Sequence, residues 1–197
     1  MTRDTMVLRG TRSRMIRLLF VTAVLLLWGC APGADLPPTP DAKPGAYRLG
    51  SGDVVRVTMY GDQDLTGTFT VNDGGNIAIS LLGSVPAQGL TVDGLADAIG
   101  KELRVKNLFR DAKITVEIVT YRPIYILGEV TRPGRYPFEP GMTVLTAVAV
   151  AGGFTYRAIT DYASVLRVNG DSATESKAQR QTLIRPGDVI TIYERIF

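Results

Sequence analysis

Hydrophobic and polar positions change period several times along this chain, and each change marks an element. Lys113-Ile-Thr-Val-Glu-Ile-Val119 alternates, with Ile114, Val116 and Ile118 facing one way, which predicts a strand with one buried face. Val54-Val-Arg-Val-Thr-Met-Tyr60 is rich in β-branched residues and reads as another strand. Between them, Val92, Leu95, Ala96, Ile99 and Leu103 recur at helical spacing behind the capping residue Thr91, which predicts a helix ending near Asn107. Thr68-Phe-Thr-Val-Asn72 and Asn76-Ile-Ala-Ile-Ser80 flank Asp73-Gly74-Gly75, a hairpin signal because glycine accepts positive φ. Leu82-Gly-Ser-Val-Pro86 reads as a short continuation.

The second half repeats the plan. Ile124-Tyr-Ile-Leu-Gly-Glu-Val130 is a predicted strand, and Thr131-Arg-Pro133-Gly134 carries Pro and Gly as a type II turn requires. Thr143 caps a short, very apolar helix over 144–151, which Gly152-Gly153 terminates. Ser164-Val-Leu-Arg-Val168 is a strand, Asn169-Gly170 a turn, and Pro186-Gly-Asp-Val-Ile-Thr-Ile-Tyr193 ends in another strand. The pattern is α+β: two small units, each a few strands around one helix, dividing near Tyr121 into 47–120 and 121–197. Gly52-Asp-Val-Val55 and Gly187-Asp-Val-Ile190 echo one another as Gly-Asp turns launching buried strands, with Asp53 and Asp188 expected to serve turn hydrogen bonding.

Charge changes the picture at the N-terminus. The chain of 197 residues has 22 Lys+Arg against 19 Asp+Glu, a net charge of +3. Residues 1–29 hold five arginines and one aspartate, so the remainder has a net charge of −1. The basicity therefore belongs to a terminal segment, and no basic face for nucleic acid is visible in the body. Arg12-Ser-Arg-Met-Ile-Arg17 precedes an apolar run of about eleven residues ending at Trp28. A basic region before a short apolar one is the plan of a secretory signal. A membrane span needs about twenty such residues. Leu27-Trp28-Gly29-Cys30 resembles a bacterial lipobox, although Trp28 stands where that pattern prefers a small or β-branched residue. The resemblance implies acylation of Cys30, which becomes the mature N-terminus. Ala31 follows it, and the absence of Asp there favours the outer membrane. Residues 30–46 contain five prolines and are expected to form a semi-rigid spacer holding the body off the membrane.

Candidate chemistry is sparse. The sequence has no histidine and one cysteine, which removes the commonest general base, the commonest zinc ligand and any internal disulfide. No metal or cofactor is expected. Asp62, Asp64 and Asp73 lie close together, but paired catalytic carboxylates usually come from separate elements of a cleft, and these read as loop charges. Gly128-Glu-Val-Thr-Arg-Pro-Gly134 lacks the Lys-Ser/Thr and helix of a phosphate loop. Its glycines serve backbone geometry, and Glu129 and Arg132 read as surface charges. Tyr121, Tyr125, Tyr136 and Tyr156 read as half-buried packing residues rather than sugar platforms. The face over 144–151 reads as core.

Two groups of motifs carry a family resemblance. One is Tyr47-Arg-Leu-Gly-Ser-Gly52-Asp53-Val-Val-Arg-Val57, with Val71-Asn-Asp73-Gly74-Gly-Asn-Ile77, Leu82-Gly83 and Gly89-Leu-Thr91. The other is Gly128-Glu129-Val-Thr-Arg-Pro133-Gly134-Arg-Tyr136, with Thr143-Val-Leu145 and Ala151-Gly152-Gly153-Phe154. In this order they resemble the polysaccharide export family of outer-membrane lipoproteins, the Wza and GumB type. The resemblance implies an export domain followed by a soluble-ligand-binding (SLBB) β-grasp module. It implies a homo-oligomeric ring, octameric in the Wza type, which passes capsular polysaccharide or exopolysaccharide from an inner-membrane co-polymerase, often a tyrosine autokinase, to the cell surface. It implies no enzyme activity. Wza-type members continue into further modules and a membrane-spanning helix, whereas this sequence stops after a strand. The expectation is a body in the periplasm that does not itself form the outer-membrane pore, which a separate β-barrel partner would supply. The second reading is a monomeric periplasmic lipoprotein that binds a soluble ligand through its β-grasp module. The least favoured is a carbohydrate-active enzyme.

Overall fold

The computed structural model describes residues 31–40, 46–61, 65–109, 112–169 and 172–195. The segment 1–29, Cys30, Asp62, Asp64 and Gly170 lie outside the described residues. The fold is α+β and has two hydrophobic cores, one drawn from Leu49 to Val116 and one from Ile124 to Ile192.

In the first unit β1 (Val54–Met59) is the middle strand of an antiparallel sheet, between β2 (Gly67–Thr70) and β5 (Ile114–Thr120). Val55, Val57 and Met59 alternate inward along β1, as a strand with one solvated face requires. Helix α1 (Val92–Val105) lies against β5 and β4 (Gly83–Pro86). Thr91 caps it by accepting from the Gly94 amide (3.0 Å), and Leu95, Ile99 and Leu103 are buried one turn apart. Full burial of each such side chain contributes about 1.5–3 kcal/mol.

The expected hairpin across Asp73-Gly74-Gly75 does not form. β2 pairs with β1, while β3 (Asn76–Ile79) pairs with β4. The reason lies just before the turn. The Val71 amide donates to the Asp53 carbonyl (2.9 Å) and the Gly52 amide donates to the Val71 carbonyl (2.9 Å), which ties the end of β2 to the start of β1. The glycine turn then hands the chain to a second, smaller sheet. The real hairpin joins β3 to β4 through Leu81 (φ 67°) and Gly83 (φ 78°).

The second unit is a five-stranded sheet in the order β7-β6-β10-β8-β9. These are β6 (Ile124–Gly128), β7 (Gly134–Tyr136), β8 (Tyr162–Asn169), β9 (Ser172–Gln179) and β10 (Val189–Ile192). β10 fills the centre, parallel to β6 and antiparallel to β8. Helix α2 (Val144–Val150) begins with a capping box between Thr143 and Thr146 and buries Val144, Ala147 and Val148. Gly152 and Gly153, both at φ 89°, end it. The predicted type II turn is corrected: Gly134 has φ 159°, far from the roughly +80° such a turn requires, and it opens β7 instead.

Two features escaped the pattern. β9 is a polar edge strand paired with β8 along its whole length. Residues 31–40 are also not an extended spacer. They turn at Ala31–Ala34 (amide to carbonyl, 3.0 Å) and then run beside β9. The Thr39 amide donates to the Lys177 carbonyl and the Lys177 amide donates to the Pro37 carbonyl, both at 2.7 Å. Proline removes a donor, but Pro38 sits where its missing amide faces away from this bridge. The segment acts as a strap over an edge that would otherwise present unpaired backbone groups.

Candidate functional site at the junction of the two units

The two Gly-Asp turns are built alike. Gly52 (φ 89°) and Gly187 (φ 86°) occupy the left-handed region that glycine enters freely. The Asp53 amide donates to the Gly50 carbonyl and the Asp188 amide to the Arg185 carbonyl, both at 3.1 Å. The carboxylates reach back. Asp53 Oδ2 accepts from the Gly50 amide (2.8 Å), and Asp188 Oδ2 accepts from the Arg185 amide (2.7 Å). Both aspartates are buried. A buried carboxylate requires donors for its remaining lone pairs, and here the turns differ. Asp188 takes a two-pronged contact from Arg167, Nε at 2.8 Å and Nη2 at 2.6 Å. Asp53 takes the Tyr47 hydroxyl (2.7 Å) and the Arg122 amide (2.8 Å).

Arg122 therefore completes a turn of the first unit although it precedes the first strand of the second. Pro123 restricts it to extended backbone, which helps hold its amide towards Asp53. Its guanidinium lies across both turns: Nε donates to the Pro186 carbonyl (2.9 Å), and Nη1 is 3.9 Å from Asp53 Oδ2. Glycines make that position available. A Cβ on Gly50 would collide with Nη1, and one on Gly187 would stand 2.8 Å from Nε. Tyr47, Tyr121 and Phe138 pack edge to face beside it, with ring centroids 5.1 and 5.4 Å apart. Burial, followed by the hydrogen bond to Asp53, pushes the Tyr47 phenol well above its ordinary pKa.

The other motif residues also serve the backbone. Gly128 (φ 82°) passes so close to Ile192 that a Cβ would collide with its carbonyl oxygen. Glu129 accepts from the Thr155 hydroxyl (2.5 Å), within the chain. Thr131 Oγ1 donates to the Gly152 carbonyl (2.9 Å), and its amide donates to the Gly153 carbonyl (3.0 Å), so the 128–134 and 151–154 motifs fold onto one another. Pro133 is exposed between them and β7. Asp73 accepts from the Ser51 hydroxyl (3.2 Å), and Gly74 lies exposed in the turn between sheets. Among the described residues no three Cys, Asp or Glu gather as a metal site. Tyr121 and Tyr136 are engaged in packing and in a hydroxyl contact to the Arg132 carbonyl, whereas Tyr125 and Tyr156 are exposed. Sequence reasoning quoted Tyr47 in the first motif without a role and missed Arg122 and Arg167 as partners of the aspartates. The Arg-Pro pair at 122–123 was the available signal for one of them.

The arrangement ties the turn at Asp53 to the turn at Gly187 through the backbone and guanidinium of Arg122. Comparison with known proteins gives the family. Residues 41–119 match the family described as polysaccharide biosynthesis/export protein, and residues 123–175 match the SLBB domain. The exopolysaccharide production protein ExoF of Rhizobium meliloti (strain 1021) is 33% identical over 193 residues, 90% of this chain and 44% of that protein. The EPS I polysaccharide export outer membrane protein EpsA of Ralstonia solanacearum is 27% identical over 138 residues, 57% of this chain and 36% of that protein. The chain thus spans less than half the length of these curated relatives. Theirs is a family of export proteins and not of enzymes. With an export domain leading directly into an SLBB domain, the chain belongs to the polysaccharide biosynthesis/export family.

Proposed function

We propose that the chain is a lipid-anchored, periplasm-facing subunit of an oligomeric ring that conducts capsular polysaccharide or exopolysaccharide towards the cell surface. The observation that carries the reading is the unbroken order of the two matched domains, together with likeness to ExoF over 90% of the chain. The outer-membrane wording of EpsA's name and the lipobox at Leu27–Cys30 support an outer-membrane anchor. In this reading 1–29 is the signal, 30–46 the segment that joins the anchor to the body, laid along β9 over 31–40, 47–120 the export domain and 121–197 the SLBB domain. An inner-membrane co-polymerase or tyrosine autokinase delivers the polymer.

The junction suits such a role. Copies that close a ring must meet at a repeated angle, and a hinge loose between units would spread that angle. Arg122, held on both turns, resists such spread. The polymer slides through without tight binding, because high affinity would trap what has to move on.

Native mass spectrometry of the mature protein in mild detergent tests the reading. The expected result is one large species at an integer multiple of the subunit, each copy acylated at Cys30. An acylated monomer at every concentration would refute the ring and favour a soluble-ligand-binding lipoprotein.

A further inference from the structure

We infer that the end of the second unit formed by Tyr156–Tyr162 and Tyr193–Arg195 is the surface that seats on the lipid bilayer. The inference rests on acylation of Cys30, and goes beyond it by naming which face of the fold the membrane meets.

The argument begins where the strap leaves the fold. The Tyr162 hydroxyl donates to the Pro32 carbonyl (2.9 Å), and Gly33, at φ 73°, lies so close to the Tyr193 ring that a Cβ would collide with it. Only Ala31 separates Pro32 from Cys30. Two backbone steps reach about 7 Å at most. An acyl group on Cys30 therefore enters the bilayer beside Tyr162 and Tyr193, whose rings lie 6.5 Å apart. The same end is one stitched surface. The Ile159 amide donates to the Tyr193 carbonyl and the Arg195 amide to the Arg157 carbonyl, both at 2.8 Å. Arg195 Nη2 donates to the Tyr156 carbonyl (2.5 Å), and Arg157 pairs with Glu194. Held by these contacts, Tyr156 leaves its side chain 83% exposed. A tyrosine so exposed, with its carbonyl held by Arg195, has the chemistry of a headgroup-level anchor: an apolar ring with a polar tip.

Tryptophan fluorescence tests the seat. The sequence has one tryptophan, Trp28, which precedes Cys30 and leaves with the signal. Tyr156→Trp and, as a control on the first sheet, Tyr60→Trp (86% exposed) each give the mature chain a single reporter. The full-length chain, matured in cells, is reconstituted into phosphatidylethanolamine and phosphatidylglycerol vesicles with or without brominated acyl chains. Brominated lipid is expected to remove about half or more of the Tyr156→Trp emission and to leave Tyr60→Trp unchanged. An acylated, vesicle-bound chain whose Tyr156→Trp emission ignores bromine, or whose two reporters are quenched equally, overturns the seat alone. A mature mass without acyl chains removes the anchor, and the seat with it.

Discussion

Asp53→Asn tests the junction most directly. The wild-type carboxylate meets three donors at 2.7–2.8 Å, from Tyr47, Gly50 and Arg122, with no exposed surface of its own. An amide of the same shape has one acceptor oxygen and one donor group. If its oxygen faces Gly50 and Tyr47, its NH2 meets the Arg122 amide, donor against donor. Flipped, the NH2 meets the Gly50 amide, and only the Tyr47 hydroxyl can rotate to accept. Either way one buried backbone donor is orphaned, at about 1–3 kcal/mol, and the remaining contacts lose their charge assistance. The expected total is about 2–4 kcal/mol, a large part of the roughly 5–15 kcal/mol available to a domain. Urea unfolding followed by far-ultraviolet circular dichroism would show the midpoint falling by about 1–2 M for a typical denaturant slope. A loss below about 0.5 kcal/mol would refute the reasoning, because the donors would then be finding water.

Other outcomes follow from the same geometry. Gly128→Ala places a Cβ against the Ile192 carbonyl at a positive φ and is expected to cost more than about 2 kcal/mol. Gly153→Ala, also at positive φ but with open space around it, costs about 1 kcal/mol, and thermal melts of the two variants read the difference. Removing the capping hydroxyl with Thr143→Ala costs about 1 kcal/mol by the same measurement. For Tyr47 the sign runs against alkali. The folded chain keeps a phenolic proton that the unfolded chain releases above about pH 10, so this contribution is present below that pH and declines above it. Tyr47→Phe should flatten the decline in a stability-versus-pH series, and an unchanged slope would count against the buried phenol.

Much of the fold was legible because burial on one face leaves a period. β5 and α1 announce themselves through Ile114, Val116 and Ile118 and through Leu95, Ile99 and Leu103. What failed to show has physical causes. Asp73-Gly74-Gly75 supplies a turn, but pairing was decided by Val71 and Asp53, on backbone groups that carry no side-chain signature. β9 is an edge strand of Ser, Thr, Glu, Lys, Gln and two alanines, with little apolar surface to bury. The strap reads as proline-rich linker, yet backbone contacts with Lys177, joined by side-chain contacts from Thr39, Tyr162 and Lys177, lay it on that edge. At the junction, the aspartates were visible as turn residues. Their partners were not, since Arg122 lies 69 residues from Asp53 and Arg167 21 from Asp188.

The strand at the centre of the five-stranded sheet is β10, the last in sequence order. β6 and β8 are not neighbours in the sheet; each pairs with β10, which lies between them. The second unit therefore cannot close progressively as its residues emerge. It must wait with two open strand edges for Val189–Ile192, and its nucleus joins stretches more than sixty residues apart. Non-local closure of this kind makes folding slow. A chain stalled before residue 189 would hold two half-sheets, each free to pair with a stranger.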